Sequence, residues 1–176
     1  VKSHDIHIDT DYANWIAEVK HRYRSAQVKA AVKVNAEKLL FNWQLGRDLV
    51  QKKAEERWGA GVVEQVSLDL KREFPDAEGF SARNLRYMKQ WYLFYTIEVE
   101  NRQRSVAELD EAIKDEEFPL PFSLVPWGQH IEIITRCKKL EEALFYIQQV
   151  IEKGLSRPAL INCIKSNLYE HQGKIV

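Results

Sequence analysis

Cysteine is nearly missing from this sequence: Cys137 and Cys163 stand alone, with no Cys-x-x-Cys pair and no Cys/His cluster around them. That excludes a disulfide-stapled scaffold and a thiolate metal centre. Each thiol reads as a small apolar group in a chain expected in the reducing cytoplasm. No apolar run approaches the ~18 residues needed to span a bilayer. No secretory leader is recognisable either, so neither membrane nor export is expected. The chain opens at Val1 without an initiator methionine, and a fragment of something longer is expected. An excess of either charge is also lacking, because 26 Lys and Arg balance 26 Asp and Glu. Affinity for a polyanion would therefore need charge segregated along the chain.

Glycine and proline are few, seven and five, and they cluster. Long stretches of helix formers remain between them. The 45% apolar content, with five Trp and seven Phe, supplies a core, and a balanced charge with many aromatics argues against disorder. After an extended or disordered start at 1–10, a single helical domain is expected over 11–176. A long helical segment covers 11–57. Within it Val32, Ala36, Leu39, Trp43, Gly46 and Val50 form an a/d seam, which predicts a partner helix from this chain or a second copy. Trp43 is too large to leave wet, so a homodimer or higher oligomer is expected, and Gly46 would let the partner backbone come close. Tyr12, Trp15, Ile16 and Val19 make a similar stripe on a shorter N-terminal helix.

Trp58-Gly59-Ala60-Gly61 should break that segment, and Pro75 should stop the helix that follows from Val62 to Phe74. The next helix is expected from Ser81 to about Tyr95. Residues 96–125 read as a polar insertion and strap, with a short helix after Ser105 and an extended Phe118–Phe122. Three more helices are expected near Gly128–Cys137, Leu140–Lys153 and Ser156–His171. No strand alternation of any length occurs. The class is mainly α, a helical bundle.

Gly79-Phe80-Ser81 with Leu85 is echoed by Gly154-Leu155-Ser156 with Leu160. Ser81 and Ser156 sit where N-caps belong, and Phe80 and Leu155 are placed to staple onto Leu85 and Leu160. Two well-made helix starts would look like this, and so would a duplicated helix-turn-helix. A helix, a turn containing glycine and a second helix over 58–95 suit that motif. On the wheel of the second helix Leu85, Met88, Trp91, Tyr92 and Tyr95 share one side. Arg83, Arg86, Tyr87 and Gln90 share the other, with Lys89 at the flank. Arginine forks, glutamine amides and lysines are the groups that read base edges and phosphates. An ordinary solvated face also carries them. The expected DNA-contacting set is Arg83, Asn84, Arg86, Tyr87, Lys89 and Gln90, with Lys71 before the turn and Arg157 at the second motif. Between Lys20 and Lys53 nine cations meet only Glu37 and Asp48, while 106–117 is acidic with Lys114 as its one cation. The basic segment suits a phosphate backbone, unless the acidic one neutralises it.

The run from Gly79 to Met88, preceded by Glu73-Phe74-Pro75-Asp76, resembles the N-terminal domain of the YhcG family. So do Trp58-Gly59 through Val62, Leu68-Asp69-Leu70, Pro126-Trp127-Gly128 and Ser156-Arg157 with Leu160. The resemblance covers roughly Asp11 to Leu168. It implies a helix-turn-helix or winged-helix-like DNA-binding unit, to which longer members add a PD-(D/E)XK nuclease domain. The sequence departs from the family pattern at Gln129, which precedes His130, at Leu155, where tryptophan is usual, and at the acidic insertion.

A PD-(D/E)XK site needs acids and a lysine on adjacent strands around a metal. Asp11 with Glu18-Val19-Lys20 is the nearest match, but it falls on a predicted helix that splits Glu18 from Lys20. His4, His7, His21, His130 and His171 have no ligand-spaced partner. Neither a phosphate-cradling loop nor a nucleophile elbow occurs. No catalytic residue, metal, cofactor or small-molecule substrate is expected. Two function classes follow: a DNA-binding module that targets a nuclease, or a helical oligomerisation domain that does not touch nucleic acid.

Overall fold

Without a proline, and with Gly46 as its one glycine, the first helix runs for 42 residues, as α1 (Thr10–Gln51). It starts where Asp9 accepts a hydrogen bond from the Tyr12 amide at 2.9 Å, satisfying one of the amides a helix start leaves open. The computed structural model describes residues 7–100 and 121–172. The acidic stretch at 106–117, the expected helix after Ser105 and the first part of the strap lie outside the described residues. After α1 come α2 (Ala54–Trp58), α3 (Val62–Glu73), α4 (Ala82–Glu100), a 3-10 turn (Phe122–Leu124), α5 (Trp127–Arg136), α6 (Leu140–Lys153), α7 (Arg157–Lys165) and α8 (Leu168–Gln172). Among the described residues there is no strand, so a wing, which needs a strand pair, has no counterpart there. No helix among them is long and apolar enough to cross a membrane.

Contacts divide the chain inside α1, into a part up to Val34 and a part from Asn35 onward. The first is helix over its described length after Asp9, and Tyr12, Trp15 and Tyr23 on it are exposed.

The second part holds the core. There Leu39, Trp43, Gly46 and Leu49 are buried, and Trp43 packs edge-on to Trp91 at 5.2 Å and to Tyr92 at 5.0 Å between ring centroids. Both partners belong to α4. A Cβ built on Gly46 would lie 2.3 Å from the Met88 carbonyl oxygen, so the two helices touch backbone to backbone there. The Leu39–Val50 seam is thus covered within the chain, which removes the reason for expecting a second copy at that face. Asn35 donates to the Ser123 and Val125 carbonyls at 2.9 and 3.1 Å, tying α1 to the 3-10 turn.

Helix α5 is central: it packs on α4, α6 and α7. Buried Ile133, Ile134, Tyr146, Ile147 and Leu160 join Trp43 and Trp91 in the main core cluster. His130 is fully buried on α5, with Nε2 2.9 Å from the Phe122 carbonyl oxygen and its ring between Trp91 and Phe122. Burial pulls its pKa down to about 4, against the effect of that carbonyl.

Four points differ from the sequence expectation. The N-terminal stripe of Tyr12, Trp15, Ile16 and Val19 has no shorter helix of its own and lies on α1. Helix α4 runs on past Tyr95 to Glu100, into the stretch expected as a polar insertion. Helix α1 ends at Gln51, short of Trp58, because Lys53 takes a left-handed φ of 48° before α2 starts. The last helix breaks at Asn167, with φ 54°, so Ser156–His171 is two helices. No glycine or proline stands at either break, and asparagine tolerates the left-handed region better than most residues.

Candidate nucleic-acid interface

Phe74 to Ser81 carries the chain from α3 to α4, and side chains fix its course. Gly79 takes φ 94°, which a side chain would strain, and its carbonyl accepts from Asn84 Nδ2 at 2.6 Å. Ser81 Oγ accepts from the Asn84 amide at 3.1 Å, and Ser67 Oγ on α3 donates to the Phe80 carbonyl at 2.5 Å. Trp127 Nε1 donates to Asn84 Oδ1 at 2.8 Å. Asn84, expected to contact DNA, therefore has both ends of its amide engaged inside the fold. Beneath the turn Val63, Leu85 and Met88 form a second buried cluster that locks α3 against α4. The ring partners of Phe80 are Phe41 at 5.9 Å and Phe74 at 6.4 Å.

With the apolar side of α4 buried, its other side faces outward as the wheel implies. Arg83, Arg86 and Gln90 are exposed, and Tyr87 and Lys89 are partly so. Arg83 donates to the Tyr87 hydroxyl from Nη2 at 3.0 Å and from Nε at 3.2 Å, with its guanidinium 5.5 Å from the ring centroid. No carboxylate lies within ion-pair distance of Arg83 among the described residues. Arg86 is different, because it pairs with Glu64 on α3. The Arg86 hydrogen bond holds the Glu64 carboxyl below its usual range. Lys89 pairs with Glu55 of α2 at 3.1 Å. Two of the cations expected on this face thus already have acidic partners, through contacts 22 and 34 residues apart that no local pattern announces. Lys71 lies exposed in the last turn of α3.

The second motif is built alike and used differently. Gly154 takes φ 58°, and Ser156 Oγ accepts from the Ala159 amide at 3.3 Å. Arg157 turns back over Gly128 and meets Glu132 of α5, with Nε at 2.9 Å and Nη2 at 2.8 Å from Oε1. Arg136 holds the other oxygen at 2.8 Å. Burial would raise the Glu132 pKa, but the hydrogen bonds from Arg136 and Arg157 outweigh it and the carboxyl sits low. Arg157 is accordingly a structural ion-pair partner at this site, and Gln129 Nε2 braces the turn by donating to the Leu155 carbonyl at 3.2 Å. Among the described residues no three His, Cys, Asp or Glu side chains gather as a metal site would need. Asp11, Glu18 and Lys20 are on α1, a helix.

Residues 18–171 match the family described as the DUF1016 N-terminal domain. The Escherichia coli K12 protein "Putative nuclease YhcG" is 26% identical over 172 residues, covering 85% of this chain and 44% of the relative. The chain therefore spans less than half the length of that relative. No solved structure matches.

Proposed function

The chain belongs to the DUF1016 N-terminal domain family, and on that footing we propose that it is a DNA-binding helix-turn-helix module, the targeting part of a larger PD-(D/E)XK nuclease-type protein. In this role it supplies binding, and the chemistry belongs to a separate domain. The observation that carries the proposal is the outer face of α4. Arg83 is propped over Tyr87 within the first turns of a helix that is anchored through its opposite side, and Gln90 is exposed further along. A helix held this way presents its N-terminal side chains to a groove, where an arginine fork reads guanine or phosphate. Lys71 would add a phosphate contact from α3. Arg86 and Lys89 would have to exchange their carboxylates for phosphates, a swap between exposed charges that costs little. The name of the relative, "Putative nuclease YhcG", supports a nucleic-acid partner for this chain.

Duplex-DNA binding titrated with salt tests this. Arg83→Ala should lower affinity about tenfold, as one good contact is worth roughly 1–3 kcal/mol, and should make the salt dependence shallower by about one unit. Arg86→Ala should cost less, and Glu64→Gln, which releases Arg86, should raise affinity. A parent chain that does not bind DNA even at low salt, or an Arg83→Ala chain indistinguishable from it, would sink the proposal.

A further inference from the structure

The stripe on the first part of α1 is not absorbed by this function. From Thr10 to Val34 the heptad positions Tyr12, Ile16, Val19, Tyr23, Ala26 and Ala30 line one side, with Trp15 beside them. Tyr23 is 66% exposed and Trp15 53%, and Ala26 and Ala30 are exposed as well. Water is a poor environment for that face. A helix of this length is only marginally stable without something against its apolar side.

We propose that a second copy of this chain covers the stripe, with the two α1 helices running antiparallel. Two independent features set the direction. The first is charge. Residues 7–19 hold Asp9, Asp11 and Glu18 and no Lys or Arg, whereas 20–34 hold Lys20, Arg22, Arg24, Lys29 and Lys33 and no acid. Asp11, Glu18, Arg22, Lys29 and Lys33 fall on the same flank of the stripe at about 100° per residue. An in-register parallel pair would set acids beside acids and bases beside bases. An antiparallel pair centred near Arg22 sets Asp11 beside Lys33 of its mate and Glu18 within a turn of Lys29, with Arg22 near its own copy only at the centre. The second feature is size. The seam is large at Tyr12 and Ile16 and small at Ala26 and Ala30, so antiparallel helices fit large against small at both ends. Parallel helices would face alanine with alanine and leave holes.

Sedimentation and light scattering on the whole 176-residue chain provide the test, with far-UV circular dichroism to verify folding. At micromolar concentration the parent should give twice the 20.7 kDa chain mass. Ile16→Ser with Tyr23→Ser should return it to a single chain mass while the helical signal persists. Asp11→Lys with Glu18→Lys should also abolish the dimer, and so should Lys29→Glu with Lys33→Glu. All four charge changes together should restore it, because only opposed acidic and basic ends are exchanged. A monomeric parent overturns the proposal. In that case dimer formation on deleting 101–120 assigns the face to the chain's own segment, and loss of DNA binding in the serine variant assigns it to nucleic acid. A dimer that survives the serine changes, or a fourfold variant that stays monomeric after either pair has broken the dimer, overturns it equally.

Discussion

Gly46 is a residue whose worth lies in what it lacks. In mid-helix, alanine would ordinarily be favoured over glycine by up to about 1 kcal/mol. Here the added methyl would meet the Met88 carbonyl oxygen at 2.3 Å and its carbon at 2.7 Å, both backbone atoms that cannot swing aside. Gly46→Ala should therefore destabilise the protein, by roughly 1–3 kcal/mol, through forced separation of α1 and α4. Urea unfolding would detect it, and a gain in stability would mean the helices have room to spare. A glycine on an apolar seam was visible in the sequence, as was the close approach it permits. The identity of the approaching backbone was not. Asn84 illustrates the converse. Its position beside two arginines at the start of a helix suggests an exposed contact. Only the arrival of Trp127, 43 residues away, shows that the amide is engaged internally.

At the scale of elements, the helix starts were the most legible feature. Ser81 and Ser156 both accept amide hydrogen bonds three residues on, as N-cap serines do. Ser81→Ala and Ser156→Ala should each cost about 1 kcal/mol, measured as a fall in the urea midpoint with an unchanged slope. An unchanged midpoint in either variant would show that its cap contributes nothing. Helix ends were read less well. Gln51 and Lys165 close their helices ahead of the left-handed Lys53 and Asn167, and a lysine carries no local signal for such a turn. The α1 seam was recognised as a surface needing cover, and α4 of the same chain provides that cover at Trp43 and Gly46.

For the molecule as a whole, the buried polar groups on α5 govern how it responds to acid. His130 has a folded pKa of about 4 against an ordinary 6.5, so between these values the unfolded chain binds the proton and the folded one does not. Its stability contribution is complete above about pH 6.5 and declines as pH falls toward about 4, by an amount on the order of 3 kcal/mol. Glu132, also held low, adds a loss in the same direction below the ordinary carboxylate range. Urea unfolding should thus show stability falling from pH 7 to pH 5, before most carboxylates titrate. His130→Phe keeps a ring between Trp91 and Phe122 and should flatten that slope. A parent equally stable at both pH values would contradict the buried, neutral histidine.

Periodicity, caps and the scarcity of breakers determined, within the sequence itself, that the chain is helical, where most helices start and which sides of them are apolar. Those properties depend on residues three or four apart, and any segment displays them without its neighbours. Which stripe covers which, and which cations remain available to a ligand, was decided only by the tertiary structure. Trp43 finds Trp91, Arg86 finds Glu64 and Arg157 finds Glu132 across 48, 22 and 25 residues of chain respectively. The surface that α4 presents depends on the first two of those encounters, because a charge answered by a neighbour must first be released before it can meet a phosphate.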